Sequence, residues 1–538
     1  MKSAEFSRHF SSGLKAIPLL FFFAVAQPAR EPVLPFEKPG AVPKANKIDE
    51  LVFSQLDALG IKPTYLCSDE VFIRRAYLDL TGTAPTAAQV RDYLAAPAAN
   101  RRAQVVNRLL DSEAYIAYQA LKWCDVLRVK SEFPVNLWPN AVQAYHRWVS
   151  TAIRSNQTYD QFARELLTAS GVNFRDPPAN FYRAVQKKEA FTLASTAALT
   201  FMGSRTSRWP KDRFEGLAGF FSKVAYKSTL EWKEEIVFFD PDKPAPKGAN
   251  GLPIQAVFPD GKKPAIDPSV DPRLVFTDWL LAPDNPYFSR AGANRLWSWI
   301  MGRGIIHEPD DIRPDNPPSN PALMAYLETE FRALGYDMRK FYRLVCASST
   351  YQLSSIPSDP ALTNETHFSC YRMRRLEAEV LIDIINQFTG GIESYSSPIP
   401  EPFTYIPNGK PSVEIADGSI SSAFLEMFGR PSRDSGMESE RNNTPSAEQQ
   451  IHLFNSSHIQ DKISRSAGLR KILAQPNVKP ERILEDLYLS ILSRRPTDDE
   501  KTKVGAYFQE RKEKNKQGEG LIDLSWALIN STEYIMKH

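Results

Sequence analysis

The sequence predicts a mainly α protein of two helical domains, on three observations. Apolar residues recur every three to four positions through most of the 538 residues. Forty-one prolines cluster between those patterns and not within them. A helix-pair signature also occurs near both ends, as "YLDLTGTAPTAAQV" at 77–90 and "YLSILSRRPTDDEK" at 488–501. The length suits two or three domains. Apolar content of 42% and charged content of 24% are ordinary for a folded soluble chain.

The first 26 residues predict a secretory signal peptide. Lys2, Arg8 and Lys15 form a positive region, 16–23 a short apolar core, and Ala24, Val25 and Ala26 a small-x-small cleavage site near Ala26. The core is too short to span a bilayer, and no other run is long and apolar enough to anchor one. The mature chain is therefore expected in the periplasm or outside the cell. Cleavage removes three cations and Glu5, which lowers the formal charge from +3 to +1. A near-neutral product with interspersed charges is not built to hold nucleic acid by phosphate neutralisation.

Residues 27–45 read as a proline-rich leader. A helical domain follows over 46–227, beginning with "IDELVFSQLDALG", whose apolar residues fall on one face until Gly60 stops the helix. Next come "DEVFIRRAYLDL", then a capping box of Thr86 and Gln89 behind Pro85. One long amphipathic helix is expected over 102–127, and more at 139–154, 158–169, 183–202 and 213–224. Residues 228–272 break the pattern with Pro, Gly and Lys, and two β-like runs, 236–239 and 254–258, suggest a small hairpin there. This span is the expected domain boundary. A second helical domain occupies 273–538, interrupted by a long loop at 391–445 of the kind that is usually functional.

The duplicated unit extends further. Thr497 and Glu500 repeat the Thr86–Gln89 box, and a Ser-x-x-Tyr step occurs at Ser112–Tyr115, Ser348–Tyr351 and Ser531–Tyr534. Such units need a neighbour to bury their faces, so they imply helix-pair stacking, with Ser bonding locally and Tyr packing.

Long ordered motifs carry a family resemblance. They include "FIRRAYLDLTGTAPT", "FEGLAGFFSKVAYK", "NPYFSRAGANRLWSWIMGRGIIHEPDDIRPDNPP", "RRLEAEVLIDII" and "ESERNNTPSAEQQIHLFNS". Over residues 46–535 the chain resembles the secreted paired-domain proteins abundant in planctomycete and verrucomicrobial genomes, cytochrome-associated in type. Their halves are domains of unknown function fifteen forty-nine and fifteen fifty-three. The resemblance implies export and pairing of the halves, and no particular reaction. Many relatives carry a Cys-x-x-Cys-His segment and a Cys-x-Cys-Glu-Arg run. Here those stretches read "FMGSRTSRWPKDRFEGLAGFF", with Ser204, Arg205, Ser207 and Trp209, and "MESER" at 437–441. Covalent haem and thiolate metal binding are therefore not expected at these places, and no cofactor is expected. The four cysteines, Cys67, Cys124, Cys346 and Cys370, match no disulfide or zinc spacing, and pairing among them stays open.

Charged constellations supply the candidate site. Arg374, Arg375, Glu377 and Glu379 fall within two helical turns, where Arg375 and Glu379 can pair at i,i+4. Arg430, Arg433, Glu440 and Arg441 crowd the long loop. Either set reads as ion pairing, or as a polar cluster in which arginine forks meet carboxylates or sugar hydroxyls. Asn294, Arg295 and Trp297 complete the binding candidates, with Trp297 and Trp299 on different helical faces. Asp310 and Asp311 form a weak calcium candidate beside the alternative of a capped turn. His452 and His458, six apart, would not share a helical face. Two functions follow. One is a non-haem binding or accessory protein of the cell envelope that recognises an extracellular polymer or partner protein. The other is a glycan-active hydrolase or lyase using carboxylates of 377–379 and 438–440, with Glu379 and Glu440 as the catalytic pair.

Overall fold

A computed structural model describes residues 30–359, 365–475, 479–513 and 517–538. The expected signal segment at 1–26 lies outside the described residues. Helices dominate, with three small antiparallel sheets. No described helix is long and apolar enough to cross a membrane.

The leader is tied down from Arg30 onward. Glu37 is buried and accepts from Arg30 at 2.7 Å, and Glu37–Lys38 pairs with Leu66–Cys67. Asn46 and Asp49 form the capping box of helix Lys47–Ala58. Asp49 also accepts from the backbone N–H groups of Ser349 and Thr350, at 2.9 and 2.8 Å, so one buried carboxylate fixes two distant helix starts.

Four expected elements differ. The long 102–127 helix is two helices, Arg101–Leu110 and Glu113–Val126, because Ser112 caps the second and breaks the first. The helix expected from 183 begins only at Ala190, after a tight turn at Pro177–Tyr182. The helix expected to reach 224 stops at Gly219, and Val224–Ser228 is a strand. The hairpin exists with a different partner: Glu235–Phe239 pairs with Val224–Ser228 and with Gly171–Val172, and 254–258 is no strand. Residues 254–258 pack instead on helix Lys211–Gly219. A Cβ on Gly219 would lie 2.5 Å from the Gln255 backbone, so only glycine permits this approach.

The duplicated units dock on one another. Arg74, in helix Asp69–Leu80, donates to the carbonyls of Ile491 and Tyr534 in the second copy, both at 2.9 Å. Arg91 pairs with Asp486 across the same contact. All three Ser-x-x-Tyr steps share one geometry. Each serine accepts from the Tyr backbone N–H at 3.1–3.2 Å and donates to a carbonyl three residues earlier, and each tyrosine is buried. The serine thus starts a new helix and does not close the preceding one.

Two hydrophobic cores result, and the span 228–272 does not separate them. The larger runs from Ile48 to Tyr371, includes Phe276 and Leu280, and takes in Ala416 and Leu489 from further along the chain. The smaller runs from Leu376 to Tyr534 and recruits Leu78, Ala84, Tyr118 and Leu121 from the N-terminal half. Helix Phe288–Met301 threads the larger core and is buried at every position but Arg290. Trp297 and Trp299, on different faces of that helix, are both buried for that reason.

Candidate functional site

Where the two cores meet, the chain buries a seam of ion pairs. Arg374 and Arg375 are not on a helix: they form a strand paired with Met536–Lys537, and the helix starts at Ala378. The expected Arg375–Glu379 pair therefore does not form. Arg375 donates to the carbonyls of Leu376, Phe428 and Asn442, while Arg374 reaches Asp79 at 2.8 Å. Glu379 is fully buried and meets Arg441 at 2.7 Å and Arg430 at 3.4 Å. Asp125 holds Arg441 and Arg433 from the other side, at 2.7 and 2.8 Å. Burial is the main cause that lowers Arg430, to about 10.

Glu377 accepts from Tyr118 at 2.8 Å and lies 3.0 Å from Lys537 and 3.7 Å from Lys122. Burial alone would raise its pKa, but the two ammonium groups hold it well below the usual carboxylate range. Lys122 itself lies over the Tyr118 ring at 4.6 Å, and burial pushes its amine down to about 8. Glu438 accepts from the Trp299 indole at 2.9 Å, and desolvation raises its carboxyl although a quarter of the side chain reaches solvent.

The remaining candidates do structural work. Glu440 accepts from the backbone of Asp434 and from Ser435, within its own loop and apart from Glu379's arginines. Asn294 bonds both backbone groups of Ile306, at 2.8 and 3.0 Å. Arg295 donates to the Leu199 and Thr200 carbonyls, and Trp297 packs edge-on to Phe368 at 5.2 Å. Asp310 pairs with Arg205 at 2.7 Å and Asp311 with Arg313 at 3.2 Å, so the two carboxylates answer different arginines and do not converge as a calcium site. Among the described residues no three metal-ligating side chains gather. The four cysteines are free. His452 and His458 do meet, with ring centres 5.8 Å apart, because a new helix begins at Ser457 between them.

A second feature escaped the charge-density argument. A cleft of about 1010 Å³ opens beside the larger core, walled by Arg205, Arg208, Trp209, Arg213, Tyr287 and Arg313. Prolines at 210, 286, 314, 317 and 318 line it as well. Arg213 stacks on Trp209 at 3.8 Å and donates to the Tyr287 hydroxyl at 3.2 Å. Cleft and seam are joined: Asp310 binds Arg205 with one oxygen and accepts the Glu438 backbone N–H with the other, at 3.2 Å.

Family models match two stretches of this chain: residues 47–224 as PSCyt2, a protein of unknown function (DUF1549), and residues 272–508 as PSD1, a protein of unknown function (DUF1553). The chain belongs to this paired family. No curated protein and no solved structure matches it. The unmatched gap in this PSCyt2–PSD1 protein coincides with the proline-rich span, yet the larger core crosses that gap. The pairing is therefore one of sequence modules packed around shared cores. The two stretches of the PSCyt2–PSD1 chain that lack cysteines, 204–209 and 437–441, are the two joined through Asp310.

Lys122 and Asp125 went unnoticed in the sequence, although a signal exists. They are charges embedded in "YQALKWCDV", a stretch otherwise rich in core residues, where an isolated charge must find a partner. Arg208 and Arg213 carry no such signal, since exposed arginines are common.

Proposed function

We propose that this is an exported, non-haem binding protein of the cell envelope, and that its cleft takes a segment of an extracellular polymer. One observation carries the reading: the two carboxylates that the sequence offers as a catalytic pair are already engaged. Glu379 is enclosed by Arg441 and Arg430, and Glu440 is tied to Asp434 and Ser435. A glycosidase needs two carboxyls flanking one open position, with the acid free to exchange its proton. The cleft, by contrast, is open and offers aromatic, proline and guanidinium surfaces, which suit the apolar faces and hydroxyls of sugars. Export is supported by the charge and apolar pattern of residues 1–26.

The test is a panel of oligosaccharides against the purified protein. Binding without turnover raises the melting temperature in a concentration-dependent way and releases no product. Trp209→Ala is expected to remove the shift. Product release from any glycan, or indifference of the bound ligand to Trp209→Ala, overturns the proposal.

A further inference from the structure

We infer that the cleft selects acidic sugars: its ligand is an oligosaccharide bearing exocyclic carboxylate or sulfate groups, received by Arg208 and Arg213. This rests on the cleft being the polymer site proposed above. Five arginines line the cleft. Three are neutralised in place. Arg205 has Glu308 and Asp310, at 2.5 and 2.7 Å. Arg290 has Glu328 at 2.6 Å. Arg313 has Asp311 and Asp315, at 3.2 and 2.5 Å. Arg208 and Arg213 meet no carboxylate among the described residues, and Arg208 is exposed. Two guanidinium groups without a carboxylate partner thus face one concavity, while the five carboxylates around it are taken up by the other three arginines.

Arg213 is also held ready. Its plane lies 3.8 Å from the Trp209 ring centre, one Nη is anchored on the Tyr287 hydroxyl, and its buried Nε has no hydrogen-bond partner. A guanidinium fixed by stacking loses little freedom when an anion arrives, and its planar fork fits carboxylate and sulfate alike. Two cations are too few to hold a nucleic acid, whose binding needs many phosphate contacts. They suit a polymer carrying one charge per sugar or per disaccharide, whose ring faces can lie on Trp209, Tyr287 and the prolines.

Calorimetric titration of the full chain decides it with four probes: oligogalacturonate, its methyl ester, a sulfated galactan oligomer, and the desulfated galactan. An acidic probe is expected to bind about tenfold or more tighter than its neutral counterpart. Its affinity should fall with added salt. Arg208→Ala and Arg213→Lys should each narrow the acidic-over-neutral preference about tenfold, with an unaltered melting temperature for Arg208→Ala. The carboxylate and sulfate arms tell which anion is preferred. Equal binding of acidic and neutral probes overturns the inference and leaves the polymer site standing. Binding of none of the four overturns both.

Discussion

Glu379 lies fully buried between Arg441 and Arg430, and removing its charge leaves the buried Arg430 with no carboxylate and Arg441 with Asp125 alone. Glu379→Gln is expected to destabilise the fold by about 3–5 kcal/mol in urea unfolding. A loss below about 1 kcal/mol would mean that the seam does not hold the cores together. Lys122 gives a pH signature. Its folded pKa is lowered from the ordinary 10.5 to about 8, chiefly by burial. Between those values the unfolded chain holds the proton and the folded chain does not, so stability rises with pH across that window. Below pH 8 both states are protonated and the burial penalty is fully present. Lys122→Met should flatten this rise, which amounts to at most about 3 kcal/mol; parallel profiles for the two proteins would contradict it. At this scale the sequence disclosed which charges exist but not whom they meet. The Arg375–Glu379 spacing suits a helix, and only the pairing of 374–375 with 536–537, far along the chain, turns those arginines elsewhere.

At the scale of elements, three serines start three helices in the same way, and the copies at the two ends pack together. Replacing Ser531 with Ala is expected to cost about 1 kcal/mol, the usual worth of a capping serine. Arg74→Leu should cost more, because the Ile491 and Tyr534 carbonyls are left buried without donors. Hydrogen exchange would then rise in 480–491 and 532–537 before the rest of the chain. Exchange rising uniformly would show that the two copies are not a discrete contact. The caps and the repeat were legible because they are local, set by side chains three residues apart. The docking of the copies was not, since it joins groups 417 and 460 residues apart. The misassigned hairpin partner has a similar cause: 254–258 looks like a strand by composition, but its packing against the glycines of "FEGLAGFF" takes it out of the sheet.

For the whole molecule, the module boundary and the packing boundary differ. Residues 30–240 and 272–538, produced separately, are expected to remain unfolded or aggregate, since each would expose half of a shared core. Cooperative melting of either fragment alone would contradict this. Family membership was legible because its motifs are long and ordered, whereas the cleft was not, because its walls come from 204–213, 286–290 and 311–318, which only the fold brings together. We propose a division of labour in which the ionic seam is scaffold and the arginine-lined cleft meets the ligand. Hydrogen–deuterium exchange with and without an acidic oligosaccharide tests it most directly. Protection confined to 204–213 and 311–318 is the expected result, and protection centred on 374–379 and 437–441 with the cleft unchanged would contradict the account.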